Sequence, residues 1–269
     1  MKLSLKGLLT IATAASALVL ASCGDKTADN NKIKVGVIAG AETQVAEVAK
    51  KVAKDKYNLD VELVTFTDYV TPNAALDDGS VDVNAFQHKP YLDQQIADRG
   101  YKLKIAGKTF VYPIAGYSKT IKSVDALKAG DRIAVPNDPT NLGRSLILLQ
   151  QQGLITLRDG VGLKATVQDI VKNPKQLEIL ELDAAQLPRS LDDVTIAIIN
   201  TTFASQLHLS PEKDGLFVED KESPYVNLIV ARENNVNDQN VQNFVKAYQT
   251  DEVYQAAMKI FNDGVVKGW

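Results

Sequence analysis

Short apolar runs of strand length alternate with amphipathic helical segments along this chain, in two separate series. This alternation restricts the fold more than any other feature. Strands joined through helices lie parallel, and a parallel sheet must be covered by those helices. The first series opens with IKVGVI (33–38), a buried-strand run that ends in a glycine loop at Gly40. Segment 41–57 follows, in which Val45, Val48, Ala49, Val52 and Ala53 share one helical face. DVELVTF (60–66) is the next strand, which completes a βαβ unit with parallel strands and a right-handed crossover. VDVNAF (81–86) then reads as a strand, 89–100 as a helix with Pro90 in its first turn, and YKLKIAG (101–107) as a strand.

FVYPIAGYSK (110–119) breaks the rhythm as a long extended stretch. A second series follows: DRIAVP (131–136), a helix from about Asn141, LEILEL (177–182), a short helix near Pro188 and VTIAIIN (194–200). Another extended stretch starts at Ser223, and two helical segments, 241–249 and 253–261, end the chain. The reading is α/β with two lobes. Lobe 1 covers 33–110 and is completed by 230–269, lobe 2 covers 111–229, and two crossover strands near Tyr112 and Tyr225 form a hinge. Ligands of open α/β sheets sit beyond the carboxyl ends of strands, so two such edges facing each other make a cleft.

Ahead of the first strand lie Lys2 and Lys6, then an apolar run from Leu8 to Ala21 that is too short for an ordinary membrane span. Residues 1–22 therefore read as a secretory signal. It ends in LASC, and Cys23 is the sole cysteine of the 269 residues. A lone thiol in an exported chain cannot form an internal disulfide. The four residues LASC resemble a bacterial lipoprotein cleavage box, which implies cleavage before Cys23 and lipid on its sulfur, with 23–32 as a flexible tether. An ordinary signal with an incidental cysteine is the plainer alternative. The formal net charge of −3 leaves no electrostatic footprint for nucleic acid.

Arg144 stands in PNDPTNLGR, read as the first turn of a helix just past a strand's carboxyl end. A cation there has the wrong sign for the helix dipole, so it calls for an anion. Pro136 and Pro139 remove backbone donors, and no lysine stands where a phosphate loop needs one, which disfavours a nucleotide. A carboxylate suits the guanidinium, while an arginine merely solvated or paired with a nearby acid is the plainer reading. NAFQHKPY puts Asn84, Phe86, His88 and Tyr91 just past another strand's carboxyl end, and Tyr69 follows the strand before it. Such rings can wall an apolar slot with polar tips, or simply pack under a helix start. Asn200 ends a strand and Asn227 lies in the second extended stretch. An amide there can hold both charged groups of an amino acid, or merely satisfy local backbone. With two histidines and no nucleophile or metal-ligand pattern, the chain reads as a binder rather than an enzyme, with no catalytic residues, metal or cofactor.

The stretches IKVGVIAGAE, NAFQHKPYLD, TFVYPIAGYSK, PNDPTNLGR, AQLPRSLDD, FVEDKESPYVN and the terminal VKGW closely resemble the NlpA/MetQ family of methionine-binding lipoproteins. The resemblance covers nearly all of the chain after the signal. It implies a two-lobed, type II-like periplasmic-binding-protein fold. It also implies capture of methionine, L- preferred and D- accepted, for an ABC importer made of a permease and its ATPase. The bearer would be a monomer, lipid-anchored in the bacterial envelope and facing the periplasm. Carried over residue by residue, Arg144 grips the ligand carboxylate, Asn200 and Asn227 hold the amino-acid backbone, and Tyr69, Phe86, His88 and Tyr91 surround the side chain. An envelope lipoprotein with an adhesive or structural role, or a binder of another small ligand, is the alternative.

Overall fold

The structure, a computed structural model, describes residues 31–220 and 224–269. The signal over 1–22 and Cys23 lie outside the described residues. Of the tether read over 23–32, Asn31 and Lys32 are described, and Lys32 is already the first residue of a strand.

The first stretch of chain gives β1 (Lys32–Ile38), α1 (Ala41–Tyr57), β2 (Asp60–Phe66), α2 (Thr71–Asp77), β3 (Val83–His88), α3 (Lys89–Arg99) and β4 (Leu103–Val111). There follow β5 (Ala115–Tyr117), β6 (Arg132–Pro136), α4 (Pro139–Gln151), β7 (Thr156–Leu157), β8 (Ile170–Lys172), β9 (Glu178–Leu182) and α5 (Leu187–Ser190). Next come β10 (Ile196–Ile199), α6 (Thr201–Ala204), α7 (Pro211–Asp214) and β11 (Phe217–Val218). The chain closes with β12 (Val226–Arg232), α8 (Gln239–Tyr248), α9 (Asp251–Ile260) and β13 (Val266–Lys267).

Two larger sheets result. One runs β13-β4-β12-β3-β1-β2 and the other β11-β5-β10-β6-β9. In the first, β1 pairs in parallel with β2 and β3, as the βαβ reading requires. β12 is wedged antiparallel between β3 and β4, so the chain returns to this sheet after building the second one. The return comes at Val226, four residues before the boundary expected at 230. In the second sheet β6 pairs in parallel with β9 and β10.

α1 buries Val45, Ala49, Val52 and Ala53, and only Val48 of the expected face stays half-buried. It packs over the first sheet together with Phe244 and Tyr248 of α8 and Val253 of α9. Ile133, Val135, Leu146, Leu149, Ile196 and Ile198 form the matching core of the second sheet. A third cluster takes Ile38, Phe86 and Tyr91 from the first sheet's side and Ala134, Ile199 and Phe203 from the second's. Among the described residues no helix is long and apolar enough to cross a membrane.

α2 has no counterpart in the expected elements. It spans 7 residues, too few to show a helical period, and it is started by Asp68, whose Oδ1 accepts from Val70 N at 2.7 Å and Thr71 N at 2.8 Å. β3 also runs on to His88, past the expected end at Phe86, because its last residues pair with β12, a strand distant in sequence.

Candidate functional site

Tyr69, Phe86, His88, Tyr91, Arg144, Asn200 and Asn227 all line one cavity. They arrive from different elements. Phe86 and His88 come from β3, Tyr91 from α3, Arg144 from α4 and Asn227 from β12. Tyr69 is held in the turn that Asp68 ties, and Asn200 caps α6. Asn84 is not in the wall. It joins Asn73 and Gln87 in a buried amide cluster, its Nδ2 donating to Asn73 Oδ1 at 2.9 Å, and so fastens α2 to β3.

His88 owes its geometry to the helix it precedes. It is the N-cap of α3, and its Nδ1 accepts from Tyr91 N at 3.2 Å. The other ring nitrogen, Nε2, therefore carries the proton and donates to Asn141 Oδ1 at 3.2 Å. The same Asn141 oxygen accepts from Asn200 Nδ2 at 3.0 Å. Burial, with Arg144 nearby, pushes the imidazole down from its ordinary 6.5 to about 3, so it is neutral at physiological pH. Asn200 Oδ1 has no partner among the described residues, and the residue is 7% exposed, so the wall holds a buried acceptor with unused capacity. Asn227 Nδ2 donates to Phe86 O at 2.9 Å.

Arg144 departs from its expected setting. α4 starts at Pro139, which puts Arg144 in the second turn, and the helix start is occupied by its own cap, Asp138, whose Oδ1 accepts from Asn141 N at 3.0 Å. No open anion site remains at that terminus. The guanidinium is instead paired with Glu219. Nε donates to Glu219 Oε1 at 2.8 Å, and Nη2 makes a short bond to Glu219 Oε2 and another to Tyr112 O at 3.0 Å. Tyr225 lies beneath it, 4.2 Å from the ring centroid. Three of its five N–H donors are thus engaged, and the two on Nη1 have no partner among the described residues.

The apolar end is a ring cluster. Tyr69 lies 5.8 Å from Phe86, 6.2 Å from Tyr91 and 4.8 Å from Phe203, centroid to centroid. Tyr91 Oη donates to Tyr69 O at 2.8 Å. Burial raises the Tyr69 phenol well above its ordinary value, so it stays protonated. Asn141, Glu219, Phe203 and Thr202 are the participants that sequence reasoning missed. Only Asn141 carried a signal, since it sits three residues before Arg144 on the same helical face. Glu219 is 75 residues from its partner, and nothing local links the two.

The sequence profile of the NlpA lipoprotein family matches residues 33–269. A relative from Vibrio cholerae serotype O1, named "Probable D-methionine-binding lipoprotein MetQ", is 78% identical over 269 residues, all of both chains. The crystal structure of the methionine-binding protein MetQ superposes with a TM-score of 0.89 at 71% identity, covering 90% of this chain and 99% of that one. A nutrient-binding protein from Burkholderia cenocepacia, solved bound to methionine, gives 0.86 at 50% identity over 88% of this chain and 100% of that one. The fold is therefore the two-lobed α/β fold of periplasmic binding proteins. With a family match over all but the first 32 residues and near-complete coverage by close relatives, the chain belongs to the NlpA lipoprotein family.

Proposed function

We propose that this chain captures methionine between its lobes, with 33–110 and the C-terminal segment on one side and 111 to about 225 on the other, and delivers it to the permease and ATPase of an ABC importer. The ligand carboxylate meets Nη1 of Arg144, and the ammonium meets Oδ1 of Asn200 with Asn227 beside it. The thioether side chain lies among Tyr69, Phe86 and Tyr91, with His88 as a neutral wall. Sulfur over aromatic rings adds roughly 0.3–1.5 kcal/mol to ordinary burial. The protein acts as a monomer without a cofactor. A lipid on Cys23 holds it on the periplasmic face of a membrane, and intact mass of membrane-extracted protein reads this directly as a chain that starts at Cys23 with acyl mass added.

One observation carries the reading. An arginine edge and a buried amide oxygen, both with unused hydrogen-bonding capacity among the described residues, share one cavity with a cluster of aromatic rings. The names of the relatives agree with that chemistry. The test is calorimetric titration of refolded protein with L-methionine, D-methionine and leucine. Tight binding of methionine with much weaker binding of leucine is expected. Absence of heat with both methionine enantiomers overturns the reading.

A further inference from the structure

Between the start of α1 and α6 the two lobes touch through a contact that no part of the ligand reading uses. Gly40, at φ 111, leads into α1, and Gln206 packs against it and donates through Nε2 to Ala39 O at 3.3 Å. Behind this pair lies Glu42, 2% exposed. Its Oε1 accepts from Thr202 Oγ1 at 2.5 Å, and its Oε2 has no side-chain partner among the described residues. Thr202 itself lines the ligand cavity. A carboxylate in this setting would keep a full charge away from water with only Thr202 and the Ile38 backbone to hold it.

We propose that Glu42 is a proton-linked latch: in its neutral form it ties α1 to Thr202 and closes the lobes over the ligand, so that ligand capture takes up a proton. The inference rests on the methionine-binding reading and adds a control to the same site.

The surroundings of Glu42 support it. The titratable groups that act with it are the phenols of Tyr69, Tyr112 and Tyr248, and burial raises all three, so they stay uncharged. No cation offsets its charge among the described residues. Burial lifts the carboxyl from its ordinary 4.5 to about 8, outweighing the hydrogen bonds from Thr202 and from the Ile38 backbone. In an open cleft, with Thr202 withdrawn, the carboxyl is hydrated and ionised at neutral pH.

The sign follows from linkage. Between 4.5 and 8 the closed form holds a proton that the open form lacks, so affinity falls as pH rises, by up to about tenfold per pH unit. His88 acts in the opposite direction, because closing takes it from 6.5 to about 3 and expels a proton below 6.5. The two effects cancel in the acidic range and leave the window from 6.5 to 8 to Glu42.

Methionine titrations near neutral pH, in buffers of low and high ionisation enthalpy, count the protons. Uptake of close to one proton is expected for the wild type, with Kd rising roughly tenfold across that window. Glu42→Gln keeps an acceptor for Thr202 but cannot ionise, and its binding is expected to be independent of pH and free of proton uptake there. Methionine binding without proton uptake in the wild type overturns the latch and leaves the ligand reading intact. Uptake that persists in Glu42→Gln also overturns it, since another group is then the source. Failure to bind methionine at any pH overturns the ligand reading instead. If Glu42→Gln does not fold, the wild-type proton count alone decides.

Discussion

At the scale of single residues, Arg144 has two duties. Its side chain is 3% exposed and that of Glu219 is 11% exposed, so each neutralises a charge that has left water. Breaking a buried pair costs about 3–5 kcal/mol because the survivor stays buried and uncompensated. Arg144→Ala is therefore expected to destabilise the ligand-free protein by about that amount in urea unfolding. On the proposed ligand reading it also removes the contact to the methionine carboxylate. Glu219 already offsets the charge, so the loss of methionine affinity belongs near the low end of the usual range, about 2–3 kcal/mol or roughly 30- to 150-fold. The double variant Arg144→Met with Glu219→Gln separates the duties. It should regain most of the stability and none of the affinity. Recovery of affinity in the double variant would show that the arginine does not touch the ligand. His88 gives a second residue-scale prediction. Its folded value of about 3 lies below the ordinary 6.5, so the unfolded chain binds the proton first and closed-form stability is lost as pH falls below 6.5. Proton uptake by Glu42 offsets this over the same range, so the His88 contribution, about 2 kcal/mol at pH 5 at about 1.36 kcal/mol per unit, is read in methionine-saturated protein in the Glu42→Gln background. His88→Gln should abolish it, and ¹⁵N spectra should show the wild-type ring neutral and protonated on Nε2. An imidazolium at pH 5 would contradict the neutral-wall assignment.

At the scale of elements, α4 is the part on which the site depends most. It supplies Asn141 and Arg144, and one side of it packs so closely that only glycine fits between them at Gly143. A Cβ there would stand 2.3 Å from Leu163 O, a backbone atom that cannot swing away. Gly143→Ala must therefore push α4 off the segment Gly162–Lys164. The expected cost is about 1–3 kcal/mol, as for other overpacked interiors. It should appear as a lower melting temperature together with weakened methionine binding, because the displaced helix carries Arg144 with it. Gln151→Ala, at the exposed end of the same helix, should change neither. An unaltered melt in Gly143→Ala would mean that the close contact relaxes freely. Elements differ in how plainly they are written. α1 shows its face in the spacing of Val45, Ala49 and Val52, because one side of a long helix meets one core. α2 and the two-residue β13 show nothing comparable, since each is held by partners distant in sequence or by a single capping side chain.

For the whole molecule, the question is how two sheets with separate cores move against each other. The crossings between them are few: β4 leads to β5, and β11 leads back to β12. Across the cleft lie His88 to Asn141, Glu42 to Thr202 and the cluster of Phe86, Tyr91 and Phe203. Such contacts are made or broken as a set when lobes close around a ligand. Saturating methionine is thus expected to lower the radius of gyration in solution scattering. It should also raise the melting temperature by mass action. A scattering profile unchanged at calorimetrically confirmed saturation would rule against closure and would leave the protein a rigid receptor.

The order of strands and helices, the two-lobed class and the family were legible in the chain itself. They rest on local patterns: apolar alternation, helical spacing and long uninterrupted motifs such as NAFQHKPYLD and PNDPTNLGR. Seven of the twelve residues that line the cavity were legible too, because they sit in or beside motifs near strand ends, where the fold class places ligands. What Arg144, His88 and Asn200 do to one another was not. The partner of Arg144 lies 75 residues away, that of Asn200 lies 59 away and that of Glu42 lies 160 away. Whether a charge is buried, which nitrogen of His88 holds the proton, and which acceptor is left over for a ligand depend on desolvation and on atoms brought together from separate elements. Those quantities exist only once the chain has folded.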